Sequence, residues 1–572
     1  MLWIEDQYDL DLVETLSRGL SLTTTLSKFL ISTGIEDLAK AENFLNPKLA
    51  HFADPFDIPG MIEAVNRICQ ALQKKEKILI IGDYDVDGIT STVIIKKNLN
   101  ALGLAPFHVT PKRKTEGYGL TRKVLERGLQ LGAIDLVIAL DCGTNAVEES
   151  VFLKQQDIDL IIIDHHQSKN GKLNQAIQVN PHLHPDNDEP WRFLCTAGLA
   201  FKVVHGILKK LRKEGVKKAF EINPKEYLPL AGLGTIADLV PLQNENRILA
   251  SFGLKYMHTD SAPGFHALLE QSNIPTNTTI GSEDVAFKIA PRINACGRLD
   301  DPEVAISLFL NSSIPECKEL AQKMNDYNEA RKRIESDLTK DALKQAEELF
   351  ADRPAVVVCG QGDHWNPGVV GIVAGKLANS LGKPCIVLAK SGNEYKGSGR
   401  GVKGVNLVHA LDHCKQMLTH WGGHPAAVGL SLNVENVKIF ADEFVKVIDD
   451  ETGGSFPEPT IRIAVTIEQE ELKGELLDEL NKLGPFGQAN PEPIIALKNI
   501  RLAHEPKKVG SGDHFQFSVN NGNRTISGIA WNMSDRIPPT NKNIDLAVKL
   551  KWNLWNGRKS LQMMLEDWRI TD

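Results

Sequence analysis

Ile78-Leu79-Ile80-Ile81-Gly82-Asp83-Tyr84-Asp85-Val86-Asp87-Gly88 decides how this chain is read. Four aliphatic residues run through a glycine into three carboxylates at alternate positions. Two further stretches repeat the pattern: Leu136-Val137-Ile138-Ala139-Leu140 leads into Asp141, and Leu160-Ile161-Ile162-Ile163 leads into Asp164-His165-His166. Continuous aliphatic runs bounded by glycine and charge fit strands covered by helices on both faces. An open parallel α/β sheet presents its ligand crevice at the carboxyl ends of its strands. Carboxylates and imidazoles delivered there by several strands would converge on one site.

Strand-like and helix-like stretches alternate outward from these runs over residues 77–240. Phe107-His108-Val109 and Ala176-Ile177-Gln178-Val179 read as further strands, and residues 121–131 have helical spacing. The alternation predicts a doubly wound parallel sheet. Residues 196–300 read as mostly helical, with loops at Pro229 and Pro241. Residues 316–350 are charged, amphipathic and free of Gly and Pro, which predicts one long connecting helix. A second α/β unit follows, with strands at Ala355-Val356-Val357-Val358 and Cys385-Ile386-Val387-Leu388 and a helix over residues 369–381. Beyond Gly453-Gly454-Ser455-Phe456-Pro457 the pattern turns β-rich, with alternation in Ile461-Arg462-Ile463-Ala464-Val465 and Phe515-Gln516-Phe517-Ser518-Val519. Turn signals at Asn521-Gly522 and Asn556-Gly557 predict hairpins of a small barrel. The expected division is a helical lead-in over 1–50, a first α/β domain over 51–315, the helix 316–350, a second α/β domain over 351–452 and a β-barrel domain over 453–572.

At 572 residues the chain is too long for one core, so about three domains are expected. Hydrophobic and charged contents of 42% and 24% are those of an ordinary soluble globular protein. No run of apolar residues is long enough to span a bilayer, and the N-terminus shows no basic segment followed by an apolar one, so neither a membrane span nor a secretory signal is expected. The eight cysteines are scattered with no Cys-x-x-Cys pair, which argues against a disulfide framework and a structural zinc site of usual spacing. A cytoplasmic location fits. The net charge of −8 rules out a chain that holds nucleic acid by its overall charge. A polyanion would need a local basic groove or metal. Residues 501–572 hold 11 Lys and Arg against 7 Asp and Glu, interleaved with Trp531, Trp552, Trp555 and Trp568. Such a mixture suits base stacking, although composition favours core packing for most of these tryptophans.

Period two would put Asp83, Asp85 and Asp87 on one side of an extended strand, but the turn at Gly88 predicts that two of them share the site. Carboxylates this close repel one another unless cations sit among them. Taken singly, Asp141 could cap a helix and His166 could be a satisfied core histidine. An oxygen-rich set with one or two imidazoles and no thiolate suits Mn2+ or Mg2+ better than zinc; Cys142 reads as a small core residue. Two divalent cations are the usual clamp for in-line displacement at phosphorus.

Four strings resemble the motifs of the DHH phosphoesterases: Asp83-Tyr84-Asp85-Val86-Asp87-Gly88, Asp141-Cys142-Gly143, Asp164-His165-His166 and Gly234-Thr235-Ile236-Ala237-Asp238. Gly422-Gly423-His424-Pro425-Ala426-Ala427-Val428-Gly429 resembles the glycine-rich signature of the associated DHHA1 domain. Ala290-Pro291-Arg292-Ile293-Asn294-Ala295-Cys296-Gly297-Arg298-Leu299 and Leu483-Gly484-Pro485-Phe486-Gly487-Gln488-Ala489-Asn490-Pro491-Glu492-Pro493 resemble the RecJ family of bacterial single-strand-specific DNA exonucleases. The resemblance runs from about residue 50 to the C-terminus.

The resemblance implies a DHH domain, a DHHA1 domain and a C-terminal OB-like barrel that grips single-stranded DNA. It implies that Asp85, Asp87, Asp141, His165 and Asp238 are metal ligands, with Asp141 bridging two divalent cations. His166 would be a further ligand or face the substrate phosphate; Asp83 would be a ligand or support one; Asp164 would orient a histidine ring. Arg113, Arg292 and Arg298 would lie along the phosphate path, and Ser398, Arg400 and His424 would bind the 5′ end. Two departures, Gln488-Ala489 in place of a second glycine and Gly401 in place of a serine, bear on end-binding and not on the metal ligands. The implied activity is 5′→3′ hydrolysis of single-stranded DNA to 5′-mononucleotides by two-metal-ion chemistry, in recombination and repair, with a helicase and a single-strand binding protein as partners. Alternatives are hydrolysis of small phosphates such as pyrophosphate or cyclic dinucleotides, and a DNA-holding scaffold without catalysis.

Overall fold

The computed structural model describes residues 1–571 apart from Lys114, Asn170, residues 185–187, 260–261 and 276–277, Asp300, residues 361–364, Asn523 and residues 556–557. The chain opens with strand β1 (Leu2–Glu5). The first large sheet holds β2 (Ile78–Gly82), β3 (Phe107–Val109), β4 (Leu136–Leu140), β5 (Asp159–Ile163) and β6 (Ile177–Val179). Its order is β3-β2-β4-β5-β6, with every pairing parallel. β2 and β4 are buried at every position, which is why their sequences show no polar alternation. Alternate residues feed two cores: Ile78, Ile80, Ile138 and Ile161 pack on one face, and Leu79, Ile81, Val137 and Ile162 on the other. The order reverses direction between β2 and β4, and a doubly wound sheet opens its ligand crevice at that switch point.

The helices fall where the hydrophobic spacing placed them, with one correction. Pro229 does not mark a loop; it sits in the first turn of the helix Leu228–Ala237. The first helical position has no intrahelical partner for its N–H, so proline is tolerated there. Behind the sheet, Lys202 and Glu245 form an ion pair at 2.8 Å, both side chains fully buried. Lys202 Nζ also donates to the Ala53 carbonyl at 2.8 Å, and the Ala53 N–H donates to Glu245 Oε1 at 2.7 Å.

The long helix runs Ile314–Phe350. It leads into a second sheet of β7 (Val356–Cys359), β8 (Cys385–Ser391), β9 (Glu394–Arg400), β10 (His420–His424) and β11 (Ala427–Asn433), in the order β10-β11-β9-β8-β7. Only β7 and β8 pair parallel. Strand β12 (Thr460–Ile463) pairs parallel with β1. A mixed seven-stranded sheet closes the chain, from β13 (Val465–Ile467), β14 (Ile495–Ile500), β15 (Lys507–Val509), β16 (His514–Asn521), β17 (Arg524–Ala530), β18 (Ile544–Trp555) and β19 (Arg558–Ile570), in the order β13-β14-β18-β19-β17-β16-β15. No ladder joins its end strands β13 and β15 among the described residues.

Residues 1–50 hold three helices, Leu10–Leu20, Thr24–Ser32 and Leu38–Leu45, but they are not a separate lead-in. They begin with a strand, and Leu16, Leu26, Phe29, Leu30 and Ala41 share one core with Val465, Ile495, Phe515 and Leu546. Pairing to β12 across the whole chain fixes that strand, and local spacing carries no trace of such a partner. Arg247 ties the same module to the first sheet's helices: it donates to the carbonyls of Phe44 (2.7 Å), Leu483 (3.0 Å) and Gly484 (2.7 Å). The Leu242 N–H reaches the Gln488 carbonyl at 2.8 Å, so the string of residues 483–493 is a strap across this boundary.

Trp552 and Trp568 pack at the edge of the last core, their indole N–H groups bonded to Asp478 (3.1 Å) and to the Arg536 carbonyl (2.7 Å). Trp531 is 50% exposed and meets the His514 ring edge-on. The Trp555 side chain, the Asn556-Gly557 turn and Lys114 lie outside the described residues. No described helix is long and apolar enough to cross a membrane.

Candidate metal centre

Each acidic side chain is placed by the end of a strand or helix. The backbone N–H groups of Asp83, Asp141 and Asp164 bond to the carbonyls of Leu140 (3.2 Å), Ile163 (3.1 Å) and Val179 (3.1 Å). Each ladder thus runs one residue past its strand, and three carboxylates leave the sheet at one rim. The three aspartates after β2 take different routes from there. Asp85 caps the helix Val86–Leu102, accepting the Gly88 N–H at 3.1 Å. Asp87 lies in that helix's first turn and accepts the Thr196 and Ala197 N–H groups at 2.7 and 2.8 Å. Those donors are the open N-terminus of the helix Thr196–Lys213, which favours a carboxylate. Gly88 permits the turn, because a Cβ there would lie 2.6 Å from the Asp83 carbonyl carbon.

Asp238 caps the C-terminus of the helix Leu228–Ala237. One turn earlier, a Cβ on Gly234 would lie 2.6 Å from Thr90 Oγ1 and 3.0 Å from Asp87 Oδ1. Gly234→Ala is therefore expected to displace Asp87 and lower turnover by roughly 10²-fold, the scale set by a misplacement near 1 Å. Turnover of the purified variant within threefold of the parent would show that the helix gives way instead. Asp141 holds φ +61, a left-handed conformation rare for a residue with a side chain. Its Oδ1 accepts the Thr196 hydroxyl at 3.1 Å.

His165 Nε2 lies 3.4 Å from Asp141 Oδ1, 3.4 Å from Asp238 Oδ2 and 3.8 Å from Asp87 Oδ2. His166 Nδ1 bonds Asp164 Oδ1 at 2.7 Å, and its Nε2 meets the Tyr118 hydroxyl at 3.1 Å. Thr144 donates to Asp164 from both its N–H and its hydroxyl. The ligand atoms fall into overlapping sets: Asp83 with Asp85 and Asp141, Asp87 with His165 and Asp238, and Asp141 with His165 and His166.

Burial, then the neighbouring Asp85 charge, pushes the carboxyls of Asp83 and Asp141 well above the usual range. Asp87 is also raised by burial, against the pull of His165. Asp238 is pushed up to about 9 by burial and by Asp87. Asp164 goes the other way: burial would raise it, but the His166 and Thr144 hydrogen bonds hold it well below the usual range. Burial lowers His165, whereas His166, which burial alone would lower, is raised to about 9 by Asp164. Both Asp83 oxygens, His165 Nε2 and Asp238 Oδ2 are buried without a hydrogen-bond partner. Unpaired lone pairs among crowded carboxylates fit a pair of hard divalent cations. Cys142 belongs to none of these sets; its thiol is buried beside the Ile81 carbonyl.

The arginines separate. The Arg113 guanidinium stands 5.4 Å from the Tyr84 ring. Gly297 abuts the Tyr84 carbonyl oxygen, which a Cβ would approach to 2.6 Å. Arg298 Nη1 donates to the Gly368 carbonyl at 2.8 Å, joining the two α/β modules. Three residues on, a Cβ at Gly371 would lie 3.2 Å from Ser398 Oγ and 3.5 Å from Arg400 Nη2. Arg400 Nη1 donates to Ser398 Oγ at 2.9 Å. His424 pairs with Ala427 and Ala427 with Arg400, so one row of the sheet carries both side chains. A chain of contacts thus links Tyr84 beside the acidic rim, through Arg298 and Gly368, to the segment that abuts Arg400. Arg292 donates to Asn325 Oδ1 at 3.1 Å and to the Lys288 carbonyl at 2.5 Å, bracing the long helix. Sequence reasoning missed Thr196, Thr144 and Tyr118. Thr196 and Thr144 carry no motif, and only the flanking glycines set Tyr118 apart.

An acidic and imidazole rim at the switch point of a doubly wound sheet, linked by a long helix to a second α/β module, defines a DHH phosphoesterase. The model of the DHH family N-terminal domain matches residues 77–235, that of the DHHA1 domain residues 353–451, and that of the RecJ OB domain residues 463–567. The chain belongs to the RecJ family. It is 33% identical to the single-stranded-DNA-specific exonuclease RecJ of Bacillus subtilis over 100% of this chain and 71% of that protein. It is 30% identical to the Escherichia coli RecJ, covering 97% of this chain and 98% of that one. The crystal structure of Thermus thermophilus RecJ in complex with Mn2+ superposes with a TM-score of 0.85 at 27% identity, over 100% of this chain and 80% of that one.

Proposed function

We propose that this chain is a metal-dependent exodeoxyribonuclease that degrades single-stranded DNA from the 5′ end to 5′-mononucleotides, in DNA recombination and repair. The observation that carries the reading is the meeting of Asp83, Asp85, Asp87, Asp141, His165, His166 and Asp238 at one sheet rim; family membership supports it. Asp87, His165 and Asp238 would hold one divalent cation, Mn2+ or Mg2+, and Asp83 and Asp85 a second. Asp141 would serve both, because it shares one set with Asp83 and Asp85 and another with His165. Bound there, the cations acidify water and offset the charge that builds on the scissile phosphate.

The remaining work falls to the protein's own groups. Asp164 fixes the His166 ring through Nδ1, with Nε2 at the Tyr118 hydroxyl, and the ring would serve as a further metal ligand or face the substrate phosphate. The helix N-terminus at Thr196 orients Asp87. Arg113 and Arg298 would line the phosphate path, and Arg292 would keep the helix of Arg298 in place. Ser398, Arg400 and His424 would receive the 5′ end. We assign catalysis to residues 51–315, the link to the helix at 316–350, end-binding to 351–452 and strand-gripping to 453–572, where Trp531 offers an exposed ring. A helicase and a single-strand binding protein are the fitting partners, since unwound strand must be supplied and kept open, and the cytoplasm is the fitting location.

The test uses 5′-labelled single-stranded DNA, duplex DNA and pyrophosphate, each with Mn2+, Mg2+ or chelator. Metal-dependent release of label from the single strand alone is expected. Cleavage of pyrophosphate only, or binding of DNA without release, overturns the reading. Arg400→Ala is expected to erase a preference for 5′-phosphorylated ends of about tenfold or more, as loss of a charge-assisted bond implies. An unchanged preference between phosphorylated and blocked ends rejects that assignment.

A further inference from the structure

We propose that the second α/β module carries a separate metal site on His409, His413 and Glu451, taking Zn2+ or a neighbouring late first-row divalent cation. His409 and His413 stand four residues apart on the helix Leu407–His413, on one face. Glu451 reaches them from the helix Val437–Thr452, and its carboxylate contacts His409 Nδ1. One ligand atom from each residue lies within 4.8 Å of the other two. The two imidazole rings lie 4.5 Å apart, inclined at 72°.

His413 supplies the second observation. Its Nδ1 bonds to the His409 carbonyl at 3.0 Å. A carbonyl only accepts, so Nδ1 bears a proton, and in the neutral ring the free lone pair is then on Nε2. Metal-binding histidines are fixed in this way, with the far ring nitrogen bonded to a carbonyl or carboxylate. A bland reading makes His413 a cap on an open helix carbonyl and His409–Glu451 a surface ion pair. That reading accounts for each contact singly; a bound ion accounts for all three residues together, one ligand atom of each lying within 4.8 Å of the others.

The rim crowds five aspartates around its two imidazoles, whereas this cluster has a single carboxylate. Two imidazoles in three donors favour Zn2+, Ni2+ or Cu2+ over Mg2+ and Mn2+. Three protein ligands leave a fourth position to solvent, an open tetrahedral site. The bound ion would pin two helices together. Leu407 begins the first helix; its N–H donates to the Pro425 carbonyl at 2.9 Å, and its side chain packs against Gly399 and Gly401. The clamp would therefore brace the backbone that carries Arg400 and His424. The site stands whether or not the chain is a nuclease.

The full-length chain, stripped with chelator and then saturated with Mg2+ to fill the oxygen-rich rim, is dialysed against Zn2+. Bound zinc and the melting temperature are measured for the parent, His409→Gln, His413→Gln and Asp141→Ala. The parent and Asp141→Ala are expected to bind one zinc and to melt higher with it. Each histidine variant is expected to bind at least about tenfold more weakly and to lose the shift. A parent that takes up no zinc under Mg2+, equal uptake by the histidine variants, or uptake lost only in Asp141→Ala overturns the proposal.

Discussion

Asp141→Ala is expected to lower single-strand cleavage by roughly 10³-fold or more while leaving the chain folded. The side chain belongs to two ligand sets and lies 3.4 Å from His165 Nε2. Its loss would strip a donor from both cation positions at once. The structure itself gains from the change when no cation is present, because several buried carboxylates crowd the rim and each repels the rest. The Thr196 hydroxyl loses a hydrogen-bond partner, and His165 and His166 lose a neighbouring carboxylate. In chelator the variant should therefore melt at or above the parent's temperature. In Mn2+ the parent should gain stability by mass action, and the variant much less. Cleavage within tenfold of the parent in saturating Mn2+ would remove Asp141 from the shared position.

Lys202→Ala is expected to cost about 3–5 kcal/mol of folding stability. The ammonium and the Glu245 carboxylate are fully buried, so removing one charge strands the other. Glu245 Oε2 already lacks a partner, and only the Ala53 N–H would still serve Oε1. Replacing both residues, as Lys202→Met with Glu245→Leu, should recover most of the loss, since no charge then remains inside. Urea unfolding of the three proteins checks the pair. A midpoint for Lys202→Ala equal to that of the parent would refute the assignment.

The sequence made the first sheet legible because its strands are buried on both faces, and nothing else explains four aliphatic residues running straight into carboxylates. It was legible too that Asp141 and the triplet Asp164, His165 and His166 leave the same rim, since parallel strands end together. The alternation of Asp83, Asp85 and Asp87 was a poorer guide. The strand stops at Gly82 and a helix starts at Val86, so Asp85 turns to cap it while Asp87 is drawn to the N-terminus of the helix Thr196–Lys213. Partners without a motif stayed hidden, because a helix terminus at Thr196 looks like any other. Only the family resemblance put Arg292 on the phosphate path; its spacing suggested surface salt bridges, and its guanidinium bonds Asn325 and the Lys288 carbonyl. Pro229 misled because proline reads as a breaker, although the first turn of a helix accepts it.

The pairing of Leu2–Glu5 with Thr460–Ile463, and the core that Leu16, Phe29 and Leu30 share with Phe515 and Leu546, bear on how the chain is made. On the ribosome, the first segment leaves the exit tunnel long before its partner strands are translated. Its apolar face must wait, open to solvent, while the middle of the nascent chain collapses. Chaperones that shield hydrophobic surface would find their longest-lived target at this end, and translation stalled before residue 460 would leave the segment unpaired.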